Sequence, residues 1–101
     1  MQEQQQPCCR HKHTPRDEQT KKNLVNRLSR MIGQLGGIRK MVEEDRYCGD
    51  ILLQIAAVES ALQALGYIVL QDHMESCVVE EIQKGNTAIV DEAIELVKRL
   101  K

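Results

Sequence analysis

Apolar residues recur at steps of three and four along two long stretches of the chain. In the first stretch, which begins at Asp17, the recurring positions are Leu24, Leu28, Met31, Leu35, Ile38 and Val42. This spacing places them on one face of an α-helix of about 25 residues. The charged run at 44–46 interrupts the pattern and predicts the end of this first helix.

A second, longer stretch begins near Cys48 and keeps the same rhythm. Its recurring apolar positions are Ile51, Ile55, Val58, Leu62, Leu65 and Val69, and the next two steps fall on His73 and Cys77. Lys84 and Gly85 predict the end of this helix, and Asn86 or Thr87 can cap a short third helix. Because the sequence shows no strand-like alternation, we predict an all-α protomer of three helices with a long second helix.

Residues 1–16 differ in composition from the rest of the chain. They are rich in glutamine, are broken by Pro7 and Pro15, and have no hydrophobic period, which predicts a disordered N-terminal tail. Residues 17–101 then form the helical domain. The tail contains four soft metal ligands, which are Cys8, Cys9, His11 and His13. They are either auxiliary metal ligands or part of a low-complexity segment without a function.

Length and composition restrict the class of protein. At 101 residues the chain is one small domain with a marginal core, so we expect it to associate with further copies. It has neither an apolar run of transmembrane length nor a signal sequence, which predicts a cytoplasmic protein without a membrane partner. The four cysteines are then reduced thiols that serve as metal ligands, redox sensors or small buried side chains.

Basic residues are concentrated in the first predicted helix. Six basic residues and no acidic residue lie between Lys21 and Lys40, whereas residues 47–101 contain four basic and nine acidic residues. Such a stretch predicts a surface for a polyanion, and association multiplies its phosphate contacts. A solvated helix face is the alternative. With two tyrosines and no Trp or Phe, the chain lacks the aromatic platforms that bind single-stranded nucleic acid.

His73 and Cys77 are the first two candidates for a metal site. Their spacing of four places an imidazole and a thiol on one helix face, about one turn apart. Cys48 lies 25 residues before His73, which is about 37 Å along a straight helix. Either the chain folds back between them, or a second subunit supplies Cys48. Two thiolates and one imidazole form a soft, low-coordinate donor set that favours Cu(I).

Other interpretations use the same residues. A Cys-His nucleophile is disfavoured because no residue is placed to orient His73 and no glycine-rich loop offers an oxyanion hole, so we predict that the chain is not an enzyme. Alternatively, Cys48 and Cys77 form a thiol switch that responds to oxidation or persulfidation. The plain alternative is a satisfied polar histidine and a buried free cysteine.

Short segments within residues 20–100 carry a recognisable pattern, namely NRLSR at 26–30, GQ at 33–34, MVEEDRYC at 41–48, QIAAV at 54–58 and DHMESC at 72–77. In these segments the chain resembles the copper-sensing operon repressors of the CsoR/RcnR family. The resemblance places the metal-binding Cys, His and Cys of the Cu(I) sensors on Cys48, His73 and Cys77. Nickel and cobalt sensors have a histidine at the position of Cys77, and persulfide sensors lack the histidine at the position of His73. It also implies that Tyr47 and, with a one-residue gap between 85 and 90, Glu92 hydrogen-bond the outer nitrogen of His73.

The resemblance implies an assembly and a function. Antiparallel helical dimers would form a disc-shaped tetramer, a dimer of dimers, whose apoprotein binds double-stranded operator DNA. Cu(I) would release the DNA and turn on copper export. Arg27 falls at a basic position implicated in DNA contact, with Arg30 and Lys22 nearby, whereas Gln63 and Ala64 replace a second basic site of some members. Because some nickel sensors recruit an N-terminal histidine, a nickel- or cobalt-sensing repressor stays open as an alternative.

Overall fold

The structure is a computed structural model that describes residues 16–100, and these residues are helical apart from short turns. The elements in chain order are α1 (Glu18–Glu43), α2 (Cys48–His73), a π-helical turn (Met74–Val78), α3 (Val79–Gln83) and α4 (Ala88–Arg99). No strand occurs within residues 16–100. The predicted all-α class with a long second helix is confirmed, because α2, the π-helical turn and α3 form one helical run of 36 residues.

Local hydrogen bonds close both ends of α1. The Asp17 carboxylate accepts a bond from the backbone N–H of Thr20 at 2.9 Å and caps the first turn. At the other end the N–H of Glu44 donates to the carbonyl oxygen of Lys40. Asp45 then adopts φ 54°, a left-handed conformation that aspartate tolerates better than most residues and that ends the helix. The predicted interruption at 44–46 is therefore confirmed.

A glycine-based cap ends α3. The N–H of Gly85 donates to the carbonyl oxygen of Ile82, and the N–H of Asn86 donates to that of Glu81, each at 2.9 Å. Gly85 has φ 91°, which glycine adopts without steric cost. The sequence prediction of a helix terminus at Gly85 is confirmed. Thr87 is the N-cap residue of α4, but its side chain makes no capping hydrogen bond, and the carboxamide of Asn86 bonds Glu81 instead, so the predicted side-chain cap is wrong.

The described residues form two compact units, 16–65 and 66–100. The first contains α1 and most of α2, and in α1 only Leu24 and Met31 are buried. The second contains the end of α2, the π-helical turn, α3 and α4. Its core is a cluster of Val78, Ile89 and Ala93.

Much of the predicted apolar face of each long helix is exposed in this single chain. Leu28, Leu35 and Val42 of α1 are 43%, 53% and 56% exposed, and α2 has no buried residue. By length and composition alone, the run Cys48–Gln83 is also long and apolar enough to cross a membrane, contrary to the sequence-based expectation. That property is a weak indication, because core helices of soluble proteins share it. Exposed apolar faces of this extent are typical of surfaces that a partner covers.

Candidate metal centre

The three predicted metal ligands lie on one helical run but do not meet within it. Cys48 is the first residue of α2 and His73 is the last, so the chain does not fold back between them. At the helical rise they are about 37 Å apart along the axis. Within residues 16–100, no group of three or more His, Cys, Asp and Glu side chains is arranged to hold a metal ion. The four tail residues Cys8, Cys9, His11 and His13 lie outside the described residues.

The π-helical turn Met74–Val78 begins directly after His73 and contains Cys77, where the periodicity predicts an ordinary α-turn. The hydroxyl of Ser76 donates to the carbonyl oxygen of Asp72 at 2.7 Å, the acceptor that the N–H of Ser76 would use in an α-helix. This side-chain bond satisfies that carbonyl while the backbone widens. In such a turn, residues four and five apart share a face, so Cys77 stays on the same side as His73. π-helical turns are frequent at functional sites.

The donor atoms differ in accessibility. Cys48 is an exposed free thiol, whereas Cys77 is 1% exposed and disulfide-bonded. The expectation that the four cysteines are reduced thiols is therefore wrong for Cys77. A metal at this residue requires its reduced form. His73 is half-buried, and its Nε2 atom is buried without a hydrogen-bond partner. A buried imidazole nitrogen without a partner costs free energy. The Nε2 atom of His73 is therefore suited to bind a metal or to form a hydrogen bond.

The two residues expected to support His73 differ in their surroundings. Glu92 of α4 is half-buried, and its Oε1 atom is buried without a hydrogen-bond partner. No hydrogen bond joins Nε2 of His73 to Oε1 of Glu92 within the described unit 66–100. Tyr47 is 72% exposed, and its ring lies against Gly49, where an added Cβ would be 2.5 Å from Cε2. Gly49 therefore gives the tyrosine ring room beside Cys48.

A buried glutamate was not identified from the sequence. Glu81 is 4% exposed, and it accepts a hydrogen bond from the carboxamide of Asn86 at 3.2 Å. Its other carboxylate oxygen lies 3.7 Å from Nζ of Lys84. The spacing in the sequence could have indicated that Glu81 is buried, because Glu81 follows Cys77 by the same four residues that separate Cys77 from His73. Because glutamates in charged segments are usually exposed, the sequence favours an exposed position for Glu81.

The predicted basic residues lie on α1, in the unit 16–65. Lys22 and Arg30 are exposed and Arg27 is half-buried. Arg27 and Arg30 line a groove of about 140 Å³, so two of the three predicted DNA contacts lie side by side. By contrast, Arg39 on the same helix is held by Glu43 at 3.2 Å.

The chain matches a model of one protein family over residues 20–99, described as metal-sensitive transcriptional repressor. It is 47% identical over 66 residues to a copper-sensing transcriptional repressor, CsoR, of Bacillus subtilis, and this match covers 65% of each chain. It is 45% identical over 67 residues to the copper-sensing transcriptional repressor RicR of Mycobacterium tuberculosis, covering 66% of this chain and 70% of that relative. The chain thus spans about two thirds of the length of these relatives.

Two solved structures share the fold. A copper-sensing repressor CsoR with Cu(I) from Geobacillus thermodenitrificans has a TM-score of 0.78 and 38% identity, and the match covers 86% of this chain and 92% of that chain. The nickel-responsive transcriptional regulator InrS has a TM-score of 0.67 and 37% identity, covering 88% of this chain and 98% of that chain. The similar structures therefore include sensors of two different metals.

Proposed function

The chain belongs to the family of metal-sensitive transcriptional repressors, and from this premise we propose that it is a Cu(I)-responsive repressor. Its apoprotein binds double-stranded operator DNA in the cytoplasm, and Cu(I) at Cys48, His73 and Cys77 releases the DNA. Genes for copper export or resistance are then expressed. The observation that carries the proposal is the buried, unpartnered Nε2 of His73 four residues from the buried Cys77.

The donor set supports copper over nickel. Two thiolates and one imidazole suit Cu(I), whereas Ni(II) takes more nitrogen and oxygen donors in a tetragonal geometry. When bound, the copper supplies bonds that join side chains that are separate in the free protein. The similarity to the nickel-responsive regulator InrS supports the nickel alternative, in which Cys8, Cys9, His11 or His13 would add ligands. X-ray absorption of the loaded protein distinguishes them: three-coordinate S₂N is expected, and additional nitrogen or oxygen donors around Ni(II) would contradict copper.

The unbroken α2 supports a metal site shared between subunits. Because no fold-back brings Cys48 to His73, a second protomer supplies Cys48 to the His73 and Cys77 of the first. Exposed apolar residues on α1 and α2 are the surfaces that an antiparallel dimer, and then a tetramer of two dimers, would cover. The exposure of Cys48 leaves its thiol accessible to such a partner.

DNA release requires that metal binding and DNA binding favour different arrangements of the helices. Lys22, Arg27 and Arg30 contact phosphates in the DNA-bound arrangement. In the metal-bound arrangement, Tyr47 and Glu92 hydrogen-bond the His73 ring nitrogen that does not hold the metal, which gives the buried Oε1 of Glu92 a partner. A shift from mostly bound to mostly free DNA needs a differential affinity of about 5 kcal/mol.

A copper titration of DNA binding tests the function. The probe is a duplex selected by the apoprotein from random sequences, and anisotropy of its fluorescence reports binding under anaerobic, reducing conditions. We expect Cu(I) to release the duplex and His73→Ala to abolish release. Release by Ni(II) but not Cu(I) would favour the nickel alternative, and release by a persulfide donor without metal would favour a thiol switch at Cys48 and Cys77.

A further inference from the structure

The groove between α1 and α2 within residues 16–65 has a lining suited to an anion. It is lined by Arg27, Arg30, Met31, Gln34 and Ala61. Two guanidinium groups and one carboxamide provide hydrogen-bond donors, and the buried Met31 provides an apolar neighbour. This combination matches a single phosphate, whose oxygens accept several hydrogen bonds from arginine forks.

A neighbouring side chain orients one of these arginines. Nε of Arg27 donates to Oδ1 of Asn23 at 3.2 Å, one helical turn earlier. Because this bond uses only Nε, the two terminal amino groups of Arg27 keep their donors for another acceptor. Asn23 thereby restricts the rotamers of a long side chain before any ligand arrives.

The same arginines are not neutralised by carboxylates. Within the described residues, neither Arg27 nor Arg30 takes part in an ion pair. Arg39, farther along α1, is paired with Glu43. The positive charges of Arg27 and Arg30 are therefore available to a ligand in the groove. Arg39 makes a matched control because its guanidinium group is already paired with Glu43.

We propose that this groove is a subsite for one phosphate of the DNA backbone, with Gln34 as a further phosphate donor and Asn23 as a positioning residue for Arg27. This inference rests on the proposed function and deepens it by assigning two residues outside the predicted basic set. Gln34 follows Arg30 by four residues, so both side chains lie on one helix face and can share one phosphate.

Salt dependence of duplex binding separates the roles of Gln34 and Arg30. Loss of a charge reduces counterion release, so Arg30→Gln is expected to weaken binding and flatten the slope of log affinity against log salt by about 0.9 per contact. Gln34→Ala removes a neutral donor, so binding should weaken by about tenfold with an unchanged slope. Arg39→Gln should change the affinity far less than Arg30→Gln. Circular dichroism confirms that each variant retains its helical content.

A double-mutant cycle tests Asn23. Asn23→Ala should weaken duplex binding by about twofold for each protomer in contact. In an Arg27→Lys background, which keeps the charge but lacks Nε, Asn23→Ala should have no further effect. A merely structural role of Asn23 would give the same loss in both backgrounds, and that result would overturn the positioning role.

The outcomes separate this inference from the function on which it rests. If the unmodified protein binds the duplex while Gln34→Ala and Asn23→Ala bind it equally well, the phosphate subsite is wrong and the repressor function stands. If the unmodified protein binds no duplex, the proposed function is wrong. Inorganic phosphate then distinguishes the source of the ligand: shifts of the Arg27 and Arg30 Nε resonances without duplex binding would overturn the assignment to DNA.

Discussion

The carboxamide of Asn86 donates a hydrogen bond to Oε1 of Glu81 at 3.2 Å across the turn between α3 and α4. The backbone N–H of Asn86 also donates to the carbonyl oxygen of Glu81 at 2.9 Å. Two bonds therefore join the same pair of residues, one of which is a buried carboxylate. The pair fixes the turn that leads into α4, the helix that carries Glu92.

Asn86→Ala should reduce the free energy of unfolding by about 1–2 kcal/mol, because it removes a hydrogen bond to a buried charged group. The backbone bond and the contact with Lys84 survive, which limits the loss. Chemical denaturation measures the effect. Asn26→Ala, at an exposed position of α1, is the matched control and should change stability by less than about 0.5 kcal/mol. Equal stability of both variants would show that the carboxamide bond contributes nothing.

The N-terminus of α1 should lose its cap in acid. Hydrogen bonds from Thr20 hold the pKa of Asp17 below 3.8. A carboxylate with a lowered pKa in the folded state stabilises the helix end above its unfolded pKa, and this contribution is lost as the pH falls through the folded pKa. The protection factor of the Thr20 amide, which compares its exchange rate with that of an unstructured peptide at the same pH, should therefore be high near neutral pH and fall in strong acid. In Asp17→Asn the cap persists without this pH dependence, whereas unchanged protection of Thr20 in Asp17→Ala would rule out the cap.

Copper sites should be restored by mixing two inactive variants. Neither Cys48→Ala nor Cys77→Ala has a complete donor set, but a heterodimer contains one intact site if the ligands come from two subunits. Random exchange of equal amounts makes half of the dimers mixed, so about a quarter of the sites should return. Anaerobic titration with a Cu(I) chelator counts them. Full copper binding by a monomer of the unmodified protein would be incompatible with a shared site.

Glu92→Ala should separate copper binding from DNA release. All three metal ligands remain, so Cu(I) affinity should change little, but loaded protein should keep most of its affinity for the duplex. If Glu92 acts only through the helix dipole near the start of α4, the variant would lose about 0.3–1 kcal/mol of stability. Loading would then weaken duplex binding as much as in the unmodified protein. Side-by-side measurement of apo and loaded Glu92→Ala decides between the two.

The helix boundaries follow from the sequence because their signals are local. Asp17 caps α1, and Gly85 has the positive φ that ends α3. The family resemblance is likewise local, because it depends on short segments around Cys48 and His73. These features need no knowledge of packing between helices.

Burial could not be predicted as well, because it depends on which partner covers each face. The apolar repeat of α1 is real, yet Leu35 is 53% exposed in the single chain while Met31 is 5% exposed. Glu81 is the reverse case, since a charged residue is buried where Asn86 and Lys84 satisfy it. The π-helical turn was also not predicted, because a hydroxyl bond from Ser76 has no signature in the apolar period.

The π-helical turn Met74–Val78 also divides the helical run into two segments whose side-chain repeats are out of phase with each other. A π-turn contains one residue more than an α-turn, and each α-helical residue turns the chain by about 100°. The angular position of every side chain after Val78 is therefore offset from the one that the repeat before Met74 would assign. A single-residue deletion inside this turn would restore one continuous phase. Because the turn accommodates its extra residue locally, the deletion would leave Glu81 and the residues that follow in α3 close to the side of the helix they now occupy, while the composition of the chain stays almost the same.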